Sequence, residues 1–390
     1  MKVTMDGHSD IFKDLYAESI LTCTFGIPPK DFYKKIVPKH IFILICVFTM
    51  LGNSFVLFYL AANSGASPFI LASKMFIPTH YLFYIFEWAY LIYYVKFLSK
   101  IDLNLKYSKA LKFASNSAYK ELMQRQEIYT KCLSWFKKTY FGVAIIFVVV
   151  PAIQAIFDWF NNMPLKSLVV LPLTEIPNDP VYILCLYLFQ SPSTFFCVIL
   201  RTGVYEWAAS FVFLISAQVK VMELALKLQV DKKRIMPLRY FIYDHVMLLK
   251  KVDQFLWCFQ TITSSKIFLC VVNFSFFTFL MGSAELSGNE SPLKFIGADV
   301  IMLGEVLVFC YMGTIIKYSL REISNIVYDS PWDELGVSYK RDAAFIIQRA
   351  QISAEPTAWF GTIKIDLPTV IDVSLSSKSN IIDQIKVKQK

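Results

Sequence analysis

Ionisable side chains inside long apolar runs are the residues of this sequence whose types and spacing point to chemistry. His80, Tyr84 and Glu87 follow one another at i, i+4 and i+7, which places them on one face of a helix. Four more ionisable residues lie in later apolar runs: Arg201, Glu206, Lys266 and Glu305. Charges inside a bilayer are costly, so they mark functional sites or interhelical pairs. The sequence leaves both interpretations open: a network that fixes packing, and a face that contacts a ligand.

Catalytic motifs are absent from the sequence. It contains no HExxH, GxSxG, GxxxxGK[ST] or GxGxxG pattern, and its four histidines are scattered. No two cysteines lie closer than 12 residues, which excludes a CxxC metal or redox pair. We therefore expect no enzyme activity, no metal and no cofactor.

Membrane-spanning helices are the elements that must position the ionisable residues. The chain has 390 residues, of which 56% are hydrophobic and 18% charged, and its mean hydropathy is +0.48, which excludes an ordinary soluble enzyme. A span needs about 20 mostly apolar residues. Six segments qualify: 41–62, 69–98, 140–160, 181–216, 259–281 and 295–317. The sequence predicts an all-α polytopic membrane protein.

Lysine and arginine are sorted between the connections. Residues 1–40, 99–138 and 217–258 hold six, nine and eight of them, whereas 63–68, 161–180 and 282–294 hold none, one and one. The positive-inside rule therefore predicts a cytoplasmic N-terminus, which disfavours a G-protein-coupled receptor. The net charge of +9 then belongs to the cytoplasmic membrane face, and no nucleic-acid partner is expected. Asn289 begins a glycosylation sequon in a loop predicted to lie outside.

An ordered set of residues follows the sixth predicted span. Its positions are Tyr311, Gly313, Ser319, Tyr328, Pro331, Trp332, Leu335, Tyr339, Lys340, Arg341, Gln348, Arg349, Ala350, Gln351 and Gly361. This set resembles the C-terminal signature of insect odorant receptors, and a looser resemblance extends from about residue 26 to residue 366. So many positions in one order make the resemblance specific.

The resemblance implies a seven-span, ligand-gated cation channel subunit in the plasma membrane of olfactory neuron dendrites. Its implied partners are membrane lipid, a volatile ligand, and the shared olfactory co-receptor in a heterotetramer. The ligand would enter a small apolar pocket in the outer half of the bundle, between spans two, three, four and six. An odorant forms few hydrogen bonds, so its affinity must come from apolar burial, at about 25 cal/mol per Å². Projected onto this sequence, the pocket is lined by Phe76, His80, Tyr84, Ile153, Gln154, Phe157, Tyr187, Phe195, Ile301 and Met302.

The stretch after the sixth span has a helical pattern of its own. Pro331 with Asp333 and Glu334 is typical of a helix start, and residues 343–347 form an apolar strip too short to cross a membrane. The resemblance assigns this stretch to a cytosolic anchor where subunits meet, with packing inside one subunit as the alternative. The anchor residues implied are Tyr328, Trp332, Tyr339, Arg341, Arg349 and Gln351.

The end of the chain departs from the family pattern. Four parts are expected: a cytoplasmic segment 1–40, a six-helix domain 41–317, an anchor segment 318–366 and a polar tail 367–390. Family members carry a seventh, pore-lining helix where this tail stands, but the tail has no long apolar run. We expect the seventh helix to be missing or replaced, so that the chain keeps its pocket and anchor without supplying its share of the pore.

Two further classes remain as alternatives to an odorant receptor. A gustatory receptor is disfavoured because the TYhhhhhQF-type ending of that family is missing. A small-molecule transporter is disfavoured because the two halves show no pair of broken helices.

Overall fold

The computed structural model describes residues 116–161, 180–232, 238–287, 293–352, 355–359 and 361–368, together with single positions between 48 and 90. Four long helices dominate: α1 (Asn116–Phe160), α2 (Pro180–Lys232), α3 (Leu238–Ser287) and α4 (Leu293–Tyr328). A 3₁₀ helix (Trp332–Glu334), helix α5 (Val337–Gln351) and a small hairpin of β1 (Thr357–Ala358) and β2 (Ile363–Lys364) follow. The predicted all-α membrane fold class is confirmed, and the hairpin is its one addition among the described residues.

The long helices extend well beyond the apolar runs that predict them. Helix α2 has 53 residues and is about 80 Å long, whereas the hydrocarbon core of a bilayer is about 30 Å thick. Helices α2 and α3 occupy most of 217–258, which the sequence treats as a connection. In the part searched, three segments are long and apolar enough to cross a membrane: Arg201–Leu226, Leu238–Val272 and Leu303–Tyr328.

The first two predicted spans, 41–62 and 69–98, lie mostly outside the described residues. Within the second, helical positions include Phe83, Glu87 and Tyr90. The Phe83 ring lies 5.8 Å from that of Phe268, and the Tyr90 ring 6.4 Å from that of Trp257. Because the residue numbers rise along one element and fall along the other, this part of the second predicted span runs antiparallel to α3.

An aromatic core joins α2, α3 and α4. The rings of Phe211 and Phe255 stack at a centroid distance of 3.7 Å, and Phe255 continues to Phe259 at 5.2 Å. Phe259 contacts Phe309 of α4 at 5.6 Å, which in turn lies 5.3 Å from Tyr205 of α2. All five side chains are essentially inaccessible to solvent. Such ring pairs add about 0.5–1.5 kcal/mol each beyond their buried area, so the three helices are packed tightly along this line.

Helix α5 packs on α4 with one face. Ala343, Ile346 and Ala350 are buried at helical spacing, whereas Phe345 between them is 64% exposed. The apolar strip 343–347 is therefore divided between the interior and the surface. The helix start expected at Pro331 proves to be the short 3₁₀ helix, because Leu335 is extended (φ −94°, ψ 170°) and separates it from α5.

Candidate functional site

Four buried charged side chains from four parts of the chain meet between the helices. Lys266 Nζ of α3 lies 3.1 Å from Glu87 Oε2 and 3.7 Å from Glu305 Oε2 of α4. Arg201 of α2 pairs with the other oxygen of Glu305. The side chains of Lys266, Glu87 and Glu305 are 3–4% exposed and that of Arg201 is 16% exposed. We call these four residues the charge network.

Hydrogen bonds and aromatic rings complete the surroundings of the charge network. Ser265 donates its hydroxyl to Glu87 Oε1 at 3.1 Å. The ammonium group of Lys266 lies 5.6 Å from the ring centroids of both Tyr205 and Phe309, which is within the range of cation–π attraction. Lys266 thus interacts with both carboxylates and with two ring faces. It does not extend to the surface, as a lysine near a span end often does.

The charge network is neutral as a whole, and this explains how it tolerates burial. Two carboxylates and two cations balance, so each desolvated charge has an opposite charge beside it. Removing one partner from such a set typically costs about 3–5 kcal/mol, because the remaining charge is left buried and unpaired. Of the four residues singled out in the later apolar runs, Arg201, Lys266 and Glu305 are paired in this network together with Glu87. The fourth, Glu206, is buried in α2 as well. In the described part of the chain, no three His, Cys, Asp or Glu side chains are placed to hold a metal.

The residues predicted to line a ligand pocket are only partly described. Ile153 and Phe157 of α1 are 60% and 62% exposed, and Gln154 is exposed as well. Tyr187, Phe195, Ile301 and Met302 lie in α2 and α4, but their side chains are outside the described set, as are Phe76, His80 and Tyr84 entirely. The pocket therefore stays a prediction.

Asp158 is a buried acidic residue that the sequence interpretation passed over. It lies two residues before the end of α1, is 6% exposed, and accepts a hydrogen bond from Gln154 Nε2 on Oδ1 at 2.7 Å. A signal was present in the sequence, because an aspartate inside the apolar run 140–160 follows the same rule that singled out Glu87 and Lys266.

Residues 355–359 and 361–368, which we call the clasp, fasten the chain onto α3 and α4. Trp359 donates its backbone N–H to Ser264 Oγ at 3.0 Å and its indole N–H to the Ser264 carbonyl at 3.2 Å. On α4, Thr314 Oγ1 accepts from the Leu367 N–H at 3.1 Å. Lys317 Nζ lies 3.1 Å from Asp366 Oδ2. The clasp therefore fixes the position and direction of the chain up to its last described residue.

The Glu355 carboxylate forms ion pairs with three cationic side chains at the clasp. Its oxygens lie 2.8 Å from Lys364 Nζ, 3.3 Å from Lys317 Nζ and 3.6 Å from Arg321 Nη2. The hydrogen bond from Lys364, with support from Lys317, lowers the pKa of Glu355 below its ordinary value. The ionised form is therefore the one that holds the clasp.

Replacing Glu355 with glutamine is expected to lower the free energy of unfolding at pH 7 by no more than about 1 kcal/mol, because these pairs are partly exposed. Since the folded-state pKa is lowered, the stabilisation is present above the unfolded value of about 4.3 and is lost as pH falls through the folded value. Melting curves of the purified protein at pH 7 and at about pH 2 should show a clear difference from wild type at pH 7 and a smaller one at the acidic pH. Glu322→Gln, an exposed carboxylate on α4, serves as the control. A Glu355→Gln effect that persists unchanged at about pH 2 would contradict the ionic explanation.

Comparison with known proteins identifies the family. The sequence model of the family described as 7tm Odorant receptor matches residues 108–376, which is more than half of the chain. The chain belongs to the odorant receptor family. No curated protein sequence matches it.

Two solved structures share the fold of this odorant receptor. The insect olfactory receptor OR5 from Machilis hrabei superposes with a TM-score of 0.76 at 9% identity, over 97% of this chain and 98% of that one. The same receptor in complex with eugenol gives a TM-score of 0.76 at 10% identity over the same shares. At such low identity the likeness establishes the fold alone.

The structure explains why two positions of the odorant receptor signature are glycine. Gly361 adopts φ +91°, in the left-handed region that side chains disfavour, within the turn of the clasp hairpin. Gly313 of α4 faces Ile365 so closely that a Cβ atom there would collide with the Ile365 carbonyl oxygen.

The six predicted anchor residues of this odorant receptor fall into two groups. Trp332 and Tyr339 are half-buried and pack against the helical core, and the Trp332 indole donates to the Tyr328 carbonyl at 3.2 Å. The other four are exposed: Tyr328, Arg341, Arg349 and Gln351. Asn289, the predicted glycosylation site, lies outside the described residues.

Proposed function

We propose that this odorant receptor is the ligand-sensing subunit of an odorant-gated cation channel that assembles with an olfactory co-receptor. The observation that carries the proposal is the family match over residues 108–376. The fold shared with an insect olfactory receptor over nearly the whole chain supports it. The plasma membrane, with a cytoplasmic N-terminus, is the site of action that fits the sorting of basic residues.

The ligand proposed is a small volatile molecule. OR5 from Machilis hrabei was solved with eugenol, a compound of this size class, and this supports a ligand of similar size here. The outer half of the bundle, with the ten pocket residues named from the sequence, is the proposed site. Apolar burial at about 25 cal/mol per Å² would provide most of the affinity.

The charge network provides a way for ligand binding to reach the rest of the bundle. Glu87 belongs to the second predicted span, and its sequence spacing predicts a helix face shared with His80 and Tyr84. Its pairing with Lys266 joins that span to α3, and through Glu305 to α4. We propose that a shift of the second span on ligand binding moves α3 and α4 with it, because separating Glu87 from Lys266 is too costly.

The exposed anchor residues are proposed to contact neighbouring subunits. Tyr328, Arg341, Arg349 and Gln351 are exposed, as is Phe345, and such a mixture of aromatic and arginine side chains is typical of protein interfaces. Trp332 and Tyr339 would support this surface from within. The clasp lies directly after α5, so a contact at this surface also bears on the chain that follows.

Co-expression tests the proposed function. Cells that produce the chain together with an insect olfactory co-receptor are expected to show cation currents on exposure to a panel of volatile compounds that includes eugenol. Cells with the co-receptor alone should not respond to the same compounds. Ligand-evoked second-messenger signals without current, or ligand uptake without current, would contradict the channel proposal. Accessibility of a tag fused to Met1 from outside intact cells would contradict the proposed orientation.

A further inference from the structure

Asp158 is an acidic side chain whose burial is only half explained. Its Oδ1 accepts the hydrogen bond from Gln154, whereas Oδ2 is buried and has no hydrogen-bond partner within the described structure. Buried polar atoms almost always have partners, and an unpartnered carboxylate oxygen is among the most costly exceptions. An unmet acceptor of this kind calls for an explanation, and in a receptor a bound ligand is one.

Small side chains accompany Asp158 on its face of α1. Ala155, one turn earlier, is 8% exposed, and Ala152 is half-buried on the same side of the helix. Ile153 and Phe157 point the other way and are more than half exposed. The buried face of α1 therefore carries the Asp158 carboxylate near the end of the helix and two alanines in the preceding two turns. This is a suitable surface for a small molecule with one polar end.

The unpartnered Oδ2 atom of Asp158 determines which polar group a ligand there should carry. Oδ2 of a carboxylate accepts hydrogen bonds and carries negative charge, so it favours a donor and, above all, a cationic donor. A protonated alkylamine, whose pKa resembles that of lysine at about 10.4, satisfies both requirements at neutral pH. An alcohol satisfies only the first, and an aldehyde or ester satisfies neither.

We infer that Asp158 binds the ammonium group of a small amine ligand, with Gln154 orienting the carboxylate and the small side chains of Ala155 and Ala152 flanking the apolar part. The inference rests on the proposed receptor function and gives the chemical class of its ligand. It adds a specificity residue that lies outside the ten positions predicted from the sequence. Charge-assisted hydrogen bonds are about twice as strong as neutral ones, so an amine should bind about tenfold or more tightly than the matched alcohol.

The test compares n-hexylamine and 1-hexanol on the purified full chain in lipid nanodiscs. Each ligand is titrated, and its dissociation constant is obtained from the rise in melting temperature. The ratio of the amine and alcohol dissociation constants is then compared between variants. Each ligand partitions into the lipid equally in all variants, so this contribution cancels. Wild type should prefer the amine by about tenfold or more, and Asp158→Asn should abolish the preference while changing the alcohol constant less than about threefold. Asp253→Asn, an exposed carboxylate on α3, should behave as wild type.

Two results would overturn the inference. One is equal affinity of wild type for amine and alcohol, as expected if a water molecule merely satisfies Oδ2. The other is an Asp158→Asn variant that keeps the amine preference. If Asp158→Asn does not fold, labelling of wild type by a hydrophobic carbodiimide replaces it. Hexylamine should then protect Asp158 from labelling and hexanol should not, as read by peptide mass spectrometry, and equal labelling would reject the inference.

These outcomes are separable from those of the channel proposal. Amine-selective binding that depends on Asp158, without any current on co-expression, would support the inference and reject the channel. Currents evoked only by neutral volatiles, with the same potency in wild type and Asp158→Asn, would support the channel and reject the inference.

Discussion

Replacing Glu87 with lysine is expected to leave little correctly folded protein in the membrane. The substitution places a third cation beside Lys266 and Arg201, with Glu305 as the only remaining carboxylate of the charge network. Loss of the pair alone costs about 3–5 kcal/mol, and like charges at close range add to this. The whole stability of a typical domain is only about 5–15 kcal/mol. The measurement is the monodisperse fraction of tagged protein on size-exclusion chromatography after extraction in detergent.

Exchanging the two charges of the Glu87–Lys266 pair tests whether the loss of folded protein comes from electrostatics or from any change of side chain at these positions. Lys266→Glu alone should be as harmful as Glu87→Lys, because the network then holds three carboxylates and Arg201 as its one cation. Combining the two changes restores an opposite pair between positions 87 and 266. Recovery should be partial, since the new carboxylate at position 266 also lies close to Glu305.

An exposed ion pair provides the matched control for these reversals. Glu127 and Lys131 of α1 pair at 2.7 Å at i, i+4, but both side chains are largely exposed. Glu127→Lys should therefore change the yield of folded protein very little. If Glu87→Lys were tolerated as well as Glu127→Lys, or if the double variant were no better than either single one, the charge network would not hold the helices together.

Replacing Gly313 with alanine is expected to displace the clasp. The added Cβ would collide with the Ile365 carbonyl oxygen and lie 3.1 Å from Ile365 Cγ2, and the clasp backbone cannot yield without moving. Ile365 is fully buried and the neighbouring Leu367 N–H is bonded to Thr314, so both interactions are at risk. Overpacking of this kind costs about 1–3 kcal/mol.

Gly304 in the same helix is the control for Gly313. A Cβ there meets no atom within 4 Å, so Gly304→Ala should be neutral or should stabilise the helix by up to about 1 kcal/mol. The measurements are the melting temperature and the rate of limited proteolysis within 352–368. Faster cleavage in Gly313→Ala and unchanged cleavage in Gly304→Ala are expected. Equal proteolysis and melting of the two variants would show that Gly313 is not needed for the close approach.

The sequence predicted the charge network in part. All four of its residues, and Glu206 as well, stood out because a charge in an apolar run requires a partner. Their partners were not predictable, because Lys266 and Glu87 are 179 positions apart and meet only through the way two helices lie against each other. Asp158 obeys the same rule, yet its place near the end of a run resembles an ordinary helix terminus.

The fold was predicted where the apolar pattern is long. Apolar runs located one part of each of α1 to α4, but not the extensions, since helix stability there comes from tertiary packing and not from a lipid-facing apolar pattern. The clasp left almost no pattern, because strands of two residues carry no periodicity. Gly313 and Gly361 of the family signature both belong to the clasp or to its contact with α4. The backbone around them shows why each position is glycine, which the sequence alone did not.

The neutrality of the charge network has a consequence for the evolution of this receptor. A single substitution that removes one of the four charges leaves another buried without a counterion, so natural selection should discard most such changes. Paired changes avoid the penalty. Positions 87 and 266 should therefore covary among relatives, and a relative with an apolar residue in place of Lys266 should also lack the acid at position 87.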